Sequence, residues 1–254
     1  MKPKLNVGAT LREVFGIYRS QAGVLLPVAF WLFLLVAVVE VLIGDNLALV
    51  PLSILVSVVA ATLYQGMVVN LVRDVQDGRR DSSVGELMRS VLPVLGPLLG
   101  AGLLAGFGIA LGLLLLIVPG LFLATIWVVI APAIVIERRG VFEAFGRSRE
   151  LVRGNGWPVF WTLAVAFLIT IVAAVVFAAI AVALADGPIV EVVFSVLGST
   201  LTAPIMALVA GVLYFRLLAI KGEQPSAEGL AAPDPTASSS YDPPPPQYPP
   251  TPET

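Results

Sequence analysis

The 254-residue chain has no cysteine and no histidine. Without cysteine there is no disulfide framework, no thiolate nucleophile and no cysteine-based metal site. Without histidine, the commonest general base and the commonest transition-metal ligand are missing as well. Charge is scarce: Asp, Glu, Lys and Arg together make up 13 %, where soluble domains run near a quarter. There is no phosphate-cradling Gly-Lys loop, no nucleophile beside a base and no acidic cluster with cation-ligand spacing. These absences point away from an enzyme, and no cofactor, metal or nucleic-acid partner is expected. The opening MKPKLNVGATLREVF has no apolar core followed by a small-residue cleavage site, so no cleavable signal peptide is expected.

What the chain does have is hydrocarbon: 58 % of its residues are hydrophobic. A spanning helix needs about 20 consecutive apolar residues. Six stretches qualify, at about 22–43, 47–72, 93–117, 119–136, 157–185 and 189–218. Turn signals separate the members of each pair: Gly44-Asp45-Asn46, Pro119-Gly120 and Asp186-Gly187-Pro188. The expected fold is therefore all-α, a polytopic membrane bundle of six transmembrane helices in three hairpins. Residues 1–9 form the N-terminal segment, 10–221 the six-helix domain, and 222–254 a disordered tail in which ten of thirty-three residues are proline. Within the tail, Pro245-Pro246-Gln247-Tyr248 has the form of a WW-domain ligand, a short pattern that arises easily in proline-rich sequence.

A short amphipathic segment precedes each hairpin, reading as a helix at the cytoplasmic interface. Thr10-x-x-Glu13 and Ser83-x-x-Glu86 fit capping boxes, and Gly140 with Glu143 holds the same place in the third. Phe30-Trp31 and Phe160-Trp161 match at the offset that aligns the first and third units, which suggests a degenerate internal repeat. In the third segment, Val141, Ala144, Phe145, Ser148, Leu151 and Val152 share one helical face. Glu143, Arg147, Arg149, Glu150 and Arg153 take the other. Alternating the six spans puts all fifteen Lys and Arg on one side and only Asp45, Asp186 and the nearby Glu40 and Glu191 towards the other. Basic residues collect in cytoplasmic loops. The expectation is a bacterial cytoplasmic-membrane protein with both termini inside.

Three sets of residues are candidates for function. Arg147, Arg149 and Arg153 are candidates for contact with anionic lipid headgroups, unless these charges only fix topology. Gly96, Gly100, Gly102, Gly106, Gly108 and Gly112 in the third span form small-xxx-small pairs that let another helix approach closely. The partner helix is either one of the chain's own or that of a second copy or another protein, and a flexible gate is the other reading of the row. Asn70, Ser195, Ser199 and Thr200 are polar within spans, and a shared midplane cavity lined by Asn70, Ser195 and Thr200 would mark a small-molecule transporter. Glu40 lies four residues from Gly44, about 6 Å along a helix, within reach of the outer interface. Pro132 and Pro204 are candidate kinks.

Further resemblance rests on Pro119-Gly120, Pro132, Glu137 and Glu143-Ala144-Phe145-Gly146-Arg147-Ser148, followed by Leu151 and Trp157. With these residues, roughly 8–221 resembles a family of six-span bacterial membrane proteins related to the membrane domain attached to some glycerophosphodiester phosphodiesterases. In those fused enzymes the resemblance implies catalysis in a separate soluble barrel that uses histidine and acidic metal ligands. With no barrel and no histidine in this chain, that activity does not carry over. What carries over is an uncharacterised membrane module in contact with lipids or a protein partner.

Overall fold

The structure, a computed structural model, describes residues 5–44, 46–78, 83–184 and 187–224. Lys2, Lys4, Asp45, Arg79, Arg80, Asp186, the side chain of Glu191 and the tail from 225 lie outside the described residues. The described residues form ten α-helices, with short 3-10 turns at Leu47–Leu49 and Leu92–Val94: α1 (Val7–Ser20), α2 (Ala22–Ile43), α3 (Val50–Gln76), α4 (Val84–Val91), α5 (Leu95–Leu115), α6 (Ile117–Ile126), α7 (Ile130–Glu137), α8 (Val141–Val152), α9 (Gly156–Leu184) and α10 (Pro188–Lys221). No strand occurs among the described residues. Six stretches are long and apolar enough to cross a membrane: Ala22–Ile43, Leu47–Gln76, Val84–Leu115, Ile117–Glu137, Gly156–Ala183 and Val192–Lys221. The fold is the all-α polytopic bundle that the apolar runs predict.

Local chemistry explains where the elements break. Leu116 alone, extended at φ −157°, joins α5 to α6. The chain folds back so tightly there that a Cβ on Gly112 would stand 2.9 Å from the backbone of Gly120. The fourth span is not a kinked rod but two helices. Pro132 has no N–H to give to Val128, which removes one intrahelical bond where residues 127–129 leave the helix. It restarts as α7 with Pro132 in the first turn, where no intrahelical donor is needed. At the end of α10, Gly222 takes the left-handed conformation (φ 70°), and the Glu223 N–H closes on the Leu218 carbonyl at 3.0 Å.

The cap expected at Thr10 is corrected. α1 begins at Val7 with Asn6 as its cap; the Asn6 side chain accepts from the Ala9 N–H at 3.0 Å. Thr10 is inside the helix, buried, with its hydroxyl donating to the Asn6 carbonyl. Glu13 is thereby free of capping duty. The Ser83 box forms as expected, both ways, at 3.2 and 3.3 Å. At Gly140, which has no side chain, only the return bond from its N–H to Glu143 is present, at 3.2 Å.

α10 is the axis, packed against α1, α2, α3, α7, α8 and α9. Contacts fix the register: Gly211 of α10 lies against Val72 of α3, Gly66 of α3 lies against Val91 and Leu98, and Tyr64 of α3 donates to the Leu25 carbonyl of α2. α1 runs along α10 rather than away from it. Arg216 bonds Ala9 and Glu13 near one end of α1, and Tyr18 bonds the Leu201 carbonyl near the other. Arg216 and Leu201 are about 22 Å apart along a helix.

The core is concentrated at the arginine-bearing end. All eight residues of α7 are buried, as are Val14 and Ile17 of α1, Leu87 and Val91 of α4, Ala144, Leu151 and Val152 of α8, and most of α10 from Ile205 to Leu218. Towards the far end, Leu42, Leu47, Val118, Val182 and Ile189 are exposed, and Leu114 is 84 % exposed.

Candidate functional site

The densest polar arrangement lies where α7, α8 and α10 meet at the arginine-bearing end. Its centre is Glu137, the last residue of α7, which is 0 % exposed. Burying a lone carboxylate is prohibitive, so it must be paired and hydrogen-bonded. Tyr214 Oη of α10 donates to Glu137 Oε1 at 2.8 Å. Arg147 Nε of α8 donates to both carboxylate oxygens, at 3.0 and 3.1 Å. Arg139 Nε also donates to Oε2. Arg139 reaches back because Arg138 between them adopts the left-handed conformation (φ 56°), unusual for a residue with a side chain, and turns the chain there.

Arg147 is 9 % exposed and spreads its remaining donors outward. Nη1 faces Glu150 at 3.4 Å, and Nη2 bonds Glu223, just past α10, at 2.6 Å. Burial alone lowers the pKa of this guanidinium, but the bonds to Glu223 and Glu137 and their negative charges outweigh it and hold it above its ordinary value. The cation is permanent. Lys221 Nζ donates to the Glu150 carbonyl, a second tie between the ends of α10 and α8.

The next residue serves the broken span. Ser148 Oγ donates to the Ile126 carbonyl at 2.7 Å and accepts from the Val129 N–H at 3.3 Å. One hydroxyl thus satisfies the backbone on both sides of the interruption, and Phe145 packs edge-on against Trp127 with centroids 4.9 Å apart. The other short helices are held in the same manner, each by a polar anchor. Arg216 and Gln76 bind Glu13 of α1 at 2.7 Å each, and Asn70 donates to Ser90 of α4 at 2.9 Å. The phenol of Tyr18, on α1, is raised above its ordinary pKa by burial.

The residues singled out in the sequence fall as follows. Arg147 does not face outward with Arg149 and Arg153; it is turned in to Glu137. Arg149 and Arg153 are exposed. The signal was in the spacing: Arg147 is three residues after buried Ala144 and four before buried Leu151, which puts it on their face. Glu137 is marked in the sequence only by the family resemblance and Tyr214 not at all, because the two partners lie 77 positions apart, across a helix break. In the glycine row, a Cβ on Gly108 would meet the Trp127 ring at 2.8 Å, and one on Gly112 would meet Gly120. Gly100 makes ordinary contact with Val141, whereas Gly96, Gly102 and Gly106 have nothing within 4 Å. Asn70, Ser195 and Thr200 do not converge: Asn70 binds Ser90, Thr200 Oγ1 donates within α10 to Val196, and Ser195 is exposed. A cavity of about 10 Å³ between α2, α3 and α4 is lined by apolar side chains and Tyr64, room for one water at most.

A family model described as a domain of unknown function (DUF7847) matches residues 82–220, more than half of the chain. The chain belongs to the DUF7847 family. The match takes in Glu137, Arg147, Ser148 and Tyr214 but leaves out α1, α2, α3 and Glu223. The chain is also similar to a UPF0259 membrane protein of Pectobacterium carotovorum, 38 % identical over 100 residues, 39 % of this chain. It spans 39 % of that relative's length. No solved structure matches it. Together with the six apolar helices, these findings make the DUF7847 protein a multi-pass membrane protein of a bacterial membrane family.

Proposed function

We propose that this is a non-catalytic protein of the bacterial cytoplasmic membrane, with its arginine-bearing end and both termini in the cytoplasm, acting through lipid headgroups or a protein partner. The observation that carries this is the outward face of α8. At 100° per residue, Phe142, Arg149 and Arg153 fall within about 40° of one another. Phe142 is 80 % exposed, and Arg149 and Arg153 are exposed beside it. A bare ring with two guanidinium groups is the composition of a helix seated at a lipid interface, and each arginine near an anionic leaflet adds about 1 kcal/mol. The resemblance to the membrane domain attached to some glycerophosphodiester phosphodiesterases supports a lipid-facing role. A partner helix, or a second copy, has the bare glycines Gly102 and Gly106 of α5 as its closest approach. The alternative of a small-molecule transporter draws no support from Asn70, Ser195 and Thr200, which stay apart.

The test is native mass spectrometry of the full chain released from nanodiscs that mix anionic and zwitterionic lipid. The wild type retains anionic lipid preferentially, and R149Q/R153Q loses most of that preference. An unchanged preference sinks the headgroup reading. Orientation is tested separately by reporter fusions: those after Gly44 and Asp186 read outside, those after Gly140 and Gly222 inside, and one exchanged signal overturns it.

A further inference from the structure

We infer that Arg147 is the core of a phosphate-binding site which the Glu223 carboxylate occupies in this structure, so that a phosphate group and the start of the C-terminal segment compete for one guanidinium. This deepens the headgroup reading but rests on a side chain that the outer face of α8 does not use. An anion site needs a cation held in place before the anion arrives. Arg147 meets that requirement. Its Nε is fixed by Glu137, which is held in turn by Tyr214 and Arg139, leaving the Nη1 and Nη2 edge facing out. That edge is the fork which binds two oxygens of a phosphate side by side.

The two anions on the fork are unequal. Glu137 is fully buried and cannot leave. Glu223 is 35 % exposed, follows the left-handed cap residue Gly222, and has one backbone bond, to Leu218. On Nη1, Glu150 is distant at 3.4 Å and mostly exposed. Withdrawing Glu223 takes a carboxylate off Nη2 and leaves that donor to another anion. The ligand class is a phosphate monoester or diester, whether on a phospholipid or free in solution.

The test uses the full chain in nanodiscs and the variant E223Q, a change at a part-exposed site that leaves Glu137 paired. Retention of anionic phospholipid by native mass spectrometry reports the lipid source. Calorimetric titration of inorganic phosphate into zwitterionic nanodiscs reports the free one. Losing a part-exposed ion pair with the competitor corresponds to roughly a threefold to fivefold gain in affinity. A gain with phospholipid alone assigns a headgroup, and a gain with both assigns the phosphate group itself. No gain with either overturns the proposal. So does an equal gain in E223Q/R147K, which keeps the charge and removes the fork. The gain persists in R149Q/R153Q/E223Q, so failure of the outer-face reading and failure of this one are told apart.

Discussion

At the arginine-bearing end of the bundle, α7, α8 and α10 share one buried carboxylate, and the short helices close over a continuous core. At the far end the same long helices stand with Leu42, Leu47, Leu114 and Val182 bare. Both ends are rich in leucine and valine, so composition does not separate them; surroundings do. Lipid tails are as apolar as leucine, so helices in the hydrocarbon gain little by burying such side chains against one another. Beyond the hydrocarbon, water returns, and with it the drive to bury apolar surface and to pair every polar group that goes inside. Among the described residues no buried side-chain nitrogen or oxygen lacks a partner. The packed end joins the short helices to α7 and to the last part of α10, while the far ends of the spans stand bare.

The largest effect that would sharpen this contrast comes from Glu137→Ala. It leaves Arg147, Arg139 and Tyr214 without their common acceptor and costs roughly 3–5 kcal/mol, the range for breaking a buried ion pair. SDS-unfolding titrations of the purified protein measure it. Leu114→Ala at the far end shifts the same midpoint by no more than about 0.5 kcal/mol. Comparable losses at the two positions would erase the distinction. Ser148→Ala comes next: it strands the Ile126 carbonyl and Val129 N–H and costs about 1–3 kcal/mol, with faster amide exchange confined to residues 127–129. Of the same size is the larger member of the glycine pair. Gly112→Ala forces α5 from α6 and lowers stability by about 1–3 kcal/mol. Gly106→Ala meets open space and is neutral or gains up to about 1 kcal/mol from helix propensity. The smallest is pH dependence. Arg147 is held above its ordinary pKa, so its contribution is intact at neutral pH and is lost only as pH rises through that elevated value. Tyr18 is raised as well, so its share fades only as pH climbs past the ordinary tyrosine range, and Tyr18→Phe flattens that alkaline limb.

The sequence makes the lipid-facing half of this architecture plain and conceals much of the rest, for a physical reason. Spans declare themselves by length and apolarity, and Pro119-Gly120 marks the reversal that brings Gly112 against Gly120. The arginine-bearing end depends on pairings between distant positions. Glu13 meets Arg216, Asn70 meets Ser90 and Glu137 meets Tyr214, and no periodicity encodes them. Arg147 shows the limit of a helical wheel drawn by polarity. Its angle placed it with Ala144 and Leu151, but its charge argued for the other face. Pro132 reads as a kink from sequence. That the span breaks outright, and that Ser148 repairs the backbone from another helix, depends on how α8 docks.

The position of α10 in the chain has a consequence for biogenesis. It is synthesised after every other helix described here, yet it supplies Tyr214 to Glu137 and Arg216 to Glu13. A nascent chain halted before α10 would have inserted five spans while one carboxylate lacked its phenol and another its guanidinium. Such a product would look unfinished to the proteases that survey new membrane proteins, and cutting the chain after Leu184 should shorten its lifetime far more than removing any other single hairpin arm would suggest.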